Sequence, residues 1–98
     1  MKVLIESPFK INDLQNQTIK DNLNSLEKYN QGITRAQVYF KTDDGNIANA
    51  IEAKIELHLP GPVIFVSEED PDAMVAFKGA LDKADRQLRK NKDVNQQY

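Results

Sequence analysis

The chain has 98 residues, with 13 basic side chains against 15 acidic ones and a formal net charge of -2. That length fits a single domain, and 40% hydrophobic residues supply a core, while 29% charged residues of nearly balanced sign do not describe a disordered polyelectrolyte. Zero cysteines exclude disulfides, thiolate metal sites, iron–sulfur clusters and a cysteine nucleophile.

The N-terminus has three consecutive apolar residues, Val3, Leu4 and Ile5, before Glu6. That is far short of a signal-peptide core or of the ~18 apolar residues of a membrane span. The expectation is a cytoplasmic chain forming one domain over residues 1–98, with its ordered core at about 1–92 and a short tail over 93–98.

Lys2 to Ser7 reads as a first strand closed by Pro8, which cannot donate to a ladder. Asn12, with Gln15 three residues on, has the spacing of a capping box, and Ile19, Leu23 and Leu26 then recur at i, i+4 and i+7. These predict a helix reaching about Tyr29, ended by Gln31-Gly32. From Ile33 to Thr42, Ala36, Val38 and Phe40 alternate with Arg35, Gln37, Tyr39 and Lys41, the period-2 pattern of a strand with one buried face. Asp43-Asp44-Gly45-Asn46 reads as a turn. Ile51, Ala53, Ile55, Leu57 and Leu59 then alternate with Glu52, Lys54, Glu56 and His58 in a third strand. Pro60-Gly61 suits the centre of a type II turn, and Val63 to Ser67 a fourth strand.

Asp70-Pro71 has the form of an N-cap followed by proline at the first helical position, and Glu68, Glu69, Asp70 and Asp72 put negative charge at the positive end of a helix dipole. Met74, Phe77, Leu81, Ala84 and Leu88 follow as the apolar stripe of a long second helix, to about Asn91. Gly79 interrupts it at a cost of roughly 1 kcal/mol relative to alanine. The order β-α-β-β-β-α, with hairpin-length links between strands two, three and four, predicts an α+β fold. It should be a two-layer sandwich, a four-stranded sheet with two helices on one face. Arg35, Gln37, Tyr39, Glu52, Lys54, Glu56 and His58 fall on the other, wet face.

Little in this chain supports catalysis. His58 is the single histidine and lies on the solvent side of its strand, beside glutamates. Ser7, Ser25 and Ser67 have no G-x-S-x-G setting. The acids at 68–72 lack a calcium-loop pattern and are explained by capping, and the four glycines lie too far apart to cradle a nucleotide. Neither an enzyme, a metal, a cofactor nor a small-molecule substrate is expected.

Charge placement is more informative. From Lys78 onward six basic side chains face three acidic ones, and Lys83, Arg86 and Lys90 lie within about 60° of one another on a helix, away from the apolar stripe. Residues 86–92 hold Arg86, Arg89, Lys90 and Lys92 with no acid between them. Such a ridge can be a merely solvated face favouring the helix dipole, or a set of contacts to RNA phosphates.

Leu26-Glu27-Lys28-Tyr29, together with Asp82-Lys83 and Arg86-Gln87-Leu88-Arg89-Lys90-Asn91-Lys92, resembles the ribosome hibernation promoting factor family, also called ribosome-associated inhibitor A or sigma-54 modulation protein. Element order and both helix motifs fall in register over nearly the whole chain. The resemblance implies a domain like those that bind double-stranded RNA, seated on the 16S-type rRNA of the small ribosomal subunit. It implies a translation inhibitor that occupies the mRNA and tRNA channel in stationary or stressed bacterial cells. Its RNA-binding residues would be Lys83, Arg86, Arg89, Lys90, Lys92 and, on helix one, Lys28. Further lysines common along helix one of the family correspond to Asn22 and Ser25 here, and a methionine-tyrosine pair early in helix two to Ala73-Met74. Ending at Tyr98, the chain resembles a short form, monomeric off the ribosome. The rival readings are a protein-binding module using the wet sheet face or the edge of strand one, and a small enzyme on the same layout.

Overall fold

A computed structural model describes residues 1–29, 31–42 and 50–96, with side chains as far as Lys90. Its elements are β1 (Lys2–Glu6), α1 (Asp13–Asn24), a 3-10 turn (Ser25–Tyr29), β2 (Arg35–Thr42), β3 (Ile51–His58), β4 (Val63–Asp70) and α2 (Ala73–Gln96). The turn expected at Asp43-Asp44-Gly45-Asn46 lies outside the described residues.

α1 begins on the capping box read from the sequence. The Asn12 side chain accepts from the Gln15 N–H at 2.7 Å, and the Gln15 side chain accepts from the Asn12 N–H at 3.1 Å. Two of the four orphan donors of the helix start are thereby satisfied. The helix stops at Asn24, earlier than its apolar repeat suggests. Asn22 donates to the Thr18 carbonyl and Ser25 to the Asn22 carbonyl, at 2.9 and 2.6 Å, and such local side-chain bonds compete with the α pattern. The tighter 3-10 winding then stacks i on i+3. Leu26 is buried in the core and Tyr29 packs against it.

The sheet order is β1-β2-β3-β4, with β1 parallel to β2 and the other pairs antiparallel. α1 and the 3-10 turn supply the crossover that a parallel pair requires. Facing pairs Ala36 with Leu57, Val38 with Ile55 and Phe40 with Ala53 line one side of the sheet. They join Ile19, Leu23, Phe77, Ala80, Ala84 and Leu88 in a single core. Alanines at 76, 80 and 84, all fully buried, let α2 approach the sheet closely. The buried stripe therefore centres on Ala76, Ala80 and Ala84, and Met74 and Leu81, expected as members of it, are only partly buried at its margins.

Two glycines carry the turns. Gly32 has φ 72 and would set a Cβ 3.2 Å from Pro60 Cγ, and Gly61 has φ 105 in the β3–β4 hairpin.

At the β4–α2 junction the structure departs from the reading of Asp70 as N-cap and Pro71 as first helical residue. β4 continues to Asp70, because Glu68, Glu69 and Asp70 remain in register with Ala53, Glu52 and Ile51. The cap is Asp72, whose carboxylate accepts from the N–H groups of Met74 and Val75 at 2.9 and 3.3 Å. Asp70 instead accepts from the Asp72 N–H at 2.9 Å, turning the chain between strand and helix. α2 runs to Gln96, past the expected end near Asn91. No glycine or proline follows Asn91 to stop it.

Candidate nucleic-acid interface

The outer face of α2 is built by its inner one. With Phe77, Ala80, Ala84 and Leu88 against the sheet, the helical period turns Arg86 and Lys90 to solvent. Among the described residues neither pairs with an acid. Two cations directed at water, with no acidic partner among the described residues, suit contact with phosphate oxygens.

A second group lies where the 3-10 turn meets α2. The Tyr29 hydroxyl donates to Asp85 Oδ1, and the Gln31 amide donates to the Leu88 carbonyl at 2.5 Å. These bonds clamp the turn to the helix. Asp85 also pairs with Arg89, one turn along α2, at 3.5 Å, and the Lys28 ammonium lies 5.2 Å from the centre of the Tyr29 ring. Lys28 and Arg89 thus flank one hydrogen bond, although 61 positions separate them. The bond from Tyr29 to Asp85 raises the phenol pKa above its ordinary 10, with burial and the Asp85 charge adding to the shift and Arg89 opposing it. Tyr29 therefore stays neutral, and a donor, throughout the physiological range.

Lys83 differs from the other expected contacts. Its ammonium reaches over the sheet edge to the Ser67 carbonyl at 2.8 Å and to Glu68 at 3.3 Å. The hydrogen bond from Lys83 holds the Glu68 carboxyl below its ordinary 4.5, helped by the Glu69 N–H. Glu68 can lie there because position 79 is glycine. A Cβ at that position would stand 2.6 Å from Glu68 Cγ. Lys92 lies within α2, but its side chain is outside the described residues.

The structure therefore gathers Arg86 and Lys90 on one outward face and Lys28 with Arg89 on the adjoining seam, and turns Lys83 aside. Asp85 and Gln31 are structural members of this region that the spacing of charges does not reveal, since their partners are tertiary. On the opposite sheet face His58 stands 2.6 Å from Glu56 and 3.0 Å from Arg35. No group of three or more His, Cys, Asp or Glu able to hold a metal occurs among the described residues, and none of their helices is long and apolar enough to cross a membrane.

Comparison with known proteins places this geometry in a group. The family described as Sigma 54 modulation protein / S30EA ribosomal protein matches residues 7–96. Among solved structures, the N-terminal domain of Protein Y from Thermus thermophilus is similar at TM-score 0.77 and 27% identity, over 92% of this chain and 98% of that one. A ribosomal subunit interface protein from Coxiella burnetii shares the fold at TM-score 0.82 and 17% identity, over 95% of this chain and 99% of that one. No match is found among curated protein sequences.

Proposed function

Because the chain belongs to the Sigma 54 modulation protein / S30EA ribosomal protein family, we propose that it binds the ribosome and restrains translation in the cytoplasm. The seat is the mRNA and tRNA channel of the small subunit, in stationary or stressed cells. The observation that carries this reading is the pair Arg86 and Lys90, exposed on α2 with no acidic partner among the described residues. Lys28 and Arg89 extend the basic surface across the seam that Tyr29 and Asp85 fix. RNA phosphates supply the affinity, and the rigid shape of helix and seam limits binding to one cleft. Inhibition follows from occupancy of the channel, with no substrate turned over.

Purified small subunits sedimented with the protein test this. The double substitution Arg86→Glu and Lys90→Glu is expected to abolish co-sedimentation while leaving the melting temperature nearly unchanged, because both side chains are exposed. Undiminished binding by the double variant would rule out this face and favour a protein-binding module on the outer sheet face.

A further inference from the structure

β4 is an edge strand, and the hairpin identifies which of its backbone groups face outward. The Leu59 N–H donates to the Pro62 carbonyl at 3.3 Å, so these two form a hydrogen-bonded pair. Alternation along the register then turns the backbone of Ile64, Val66, Glu68 and Asp70 toward β3, and that of Val63, Phe65, Ser67 and Glu69 toward the open edge. Two of those outward groups are closed. Lys83 donates to the Ser67 carbonyl, and the Glu69 N–H is taken by the Glu68 carboxylate at 3.3 Å. A lysine and an acid at an edge are a recognised guard against unwanted strand pairing.

The guard covers only the acidic half. Among the described residues nothing closes the N–H and C=O groups of Val63 and Phe65, and their side chains are 42% and 71% exposed on the outer face. Among the described side chains of α2, Lys83 is the one hydrogen-bonded to this edge, and further along the helix Asp85 and Leu88 bond Tyr29 and Gln31 instead.

We propose that the open half of the β4 edge, Val63 to Phe65, pairs antiparallel with the same segment of a second copy of this chain. The segment is complementary to itself. A two-fold axis at Ile64 makes Val63 of each copy the hydrogen-bonded partner of Phe65 of the other, so every open donor meets an open acceptor. The same register sets each exposed Phe65 beside the other copy's Val63, a cross-strand aromatic and β-branched pair. Charge permits it, because the hairpin folds back at Pro60-Gly61 to pair His58 with Val63, so Glu68, Glu69 and Asp70 of each copy run past the start of the other copy's β4 and no carboxylate faces a carboxylate. So short a contact lies well below about 1,200 Å², the range of weak, transient association. The chain is therefore monomeric when dilute and dimeric when concentrated.

Sedimentation equilibrium of the full chain tests the inference, with amide NMR over the same range. The expected result is a reversible dimer with a Kd of roughly 10 μM to 1 mM, with concentration-dependent shifts centred on the Val63 and Phe65 amides. Val63→Pro removes an N–H that points away from β3, and should weaken the dimer at least about tenfold at an unchanged melting temperature. Phe65→Lys, which leaves the backbone intact, should do the same. A single monomeric species up to about 1 mM would overturn the proposal and leave the edge to a strand of other sequence. A dimer equally strong in both variants would overturn it by placing the contact elsewhere.

Discussion

Gly79 shows how one missing side chain organises a charge. Alanine there should help an isolated helix by about 1 kcal/mol. In this fold its Cβ would meet Glu68 Cγ at 2.6 Å, and overpacking of that kind costs about 1–3 kcal/mol. Gly79→Ala is therefore expected to destabilise the protein, or at best to leave it unchanged, and to push Glu68 away from Lys83. The pH dependence of stability reads the second effect. Glu68 has its carboxyl held below 4.5 by Lys83, so its contribution is complete above the unfolded pKa and is lost as pH falls through the lower folded one. Urea unfolding between about pH 6 and pH 3 should show a smaller acid loss attributable to this group in Gly79→Ala and in Lys83→Ala than in the parent chain. A parent-like profile in both variants would mean that Glu68 and Lys83 do not interact in solution.

At the scale of elements, the start of α2 depends on one carboxylate. Asp72 accepts from the N–H groups of Met74 and Val75, and its own carbonyl accepts from the Ala76 N–H at 3.0 Å. Asp72→Ala should cost about 1 kcal/mol, within the usual 0.5–2 for a lost cap. Asp70→Ala, outside the helix, should cost less, and the two urea midpoints would reverse order if Asp70 were the cap. The sequence pattern does not separate these two aspartates, because both stand just before an apolar helical repeat. The strand pairing of Glu68 to Asp70 decides between them, and that pairing is tertiary. The same limit explains α1. Its capping box and the positions of Ile19, Leu23 and Leu26 are legible from spacing, whereas the bonds of Asn22 and Ser25 that compete with the α winding, and the bond that ties Tyr29 to Asp85, are not. Alternation makes β2 and β3 legible almost to the residue. Hydrophobic content marks only the first half of β4, since its second half is charged. On α2, periodicity finds the outward pair Arg86 and Lys90, and it cannot show that Lys83, adjacent on the same wheel, is drawn to a carbonyl of the sheet.

Across the whole molecule, a net charge of -2 coexists with a basic end. On the proposed function, nucleic-acid affinity comes from a local set of cations rather than from the overall field. Lys28, Arg86, Arg89 and Lys90 are the described members of that set that remain available or only weakly engaged. If each displaces about 0.7–0.9 of a counterion, log affinity for small subunits should fall against log salt with a slope of about -3. Single neutralisation of Arg86 or Lys90 should reduce the slope by about 1. Lys83 gives the sharper test, because the ridge read from the sequence includes it and the structure binds it to Ser67 and Glu68. Lys83→Gln should leave the slope within about 0.3 of the parent value, well under the loss of one contact, and should instead alter acid stability. A full unit lost on Lys83→Gln would mean that the ammonium leaves Ser67 and Glu68 for RNA on binding, and that the basic surface on the ribosome is the whole helical ridge.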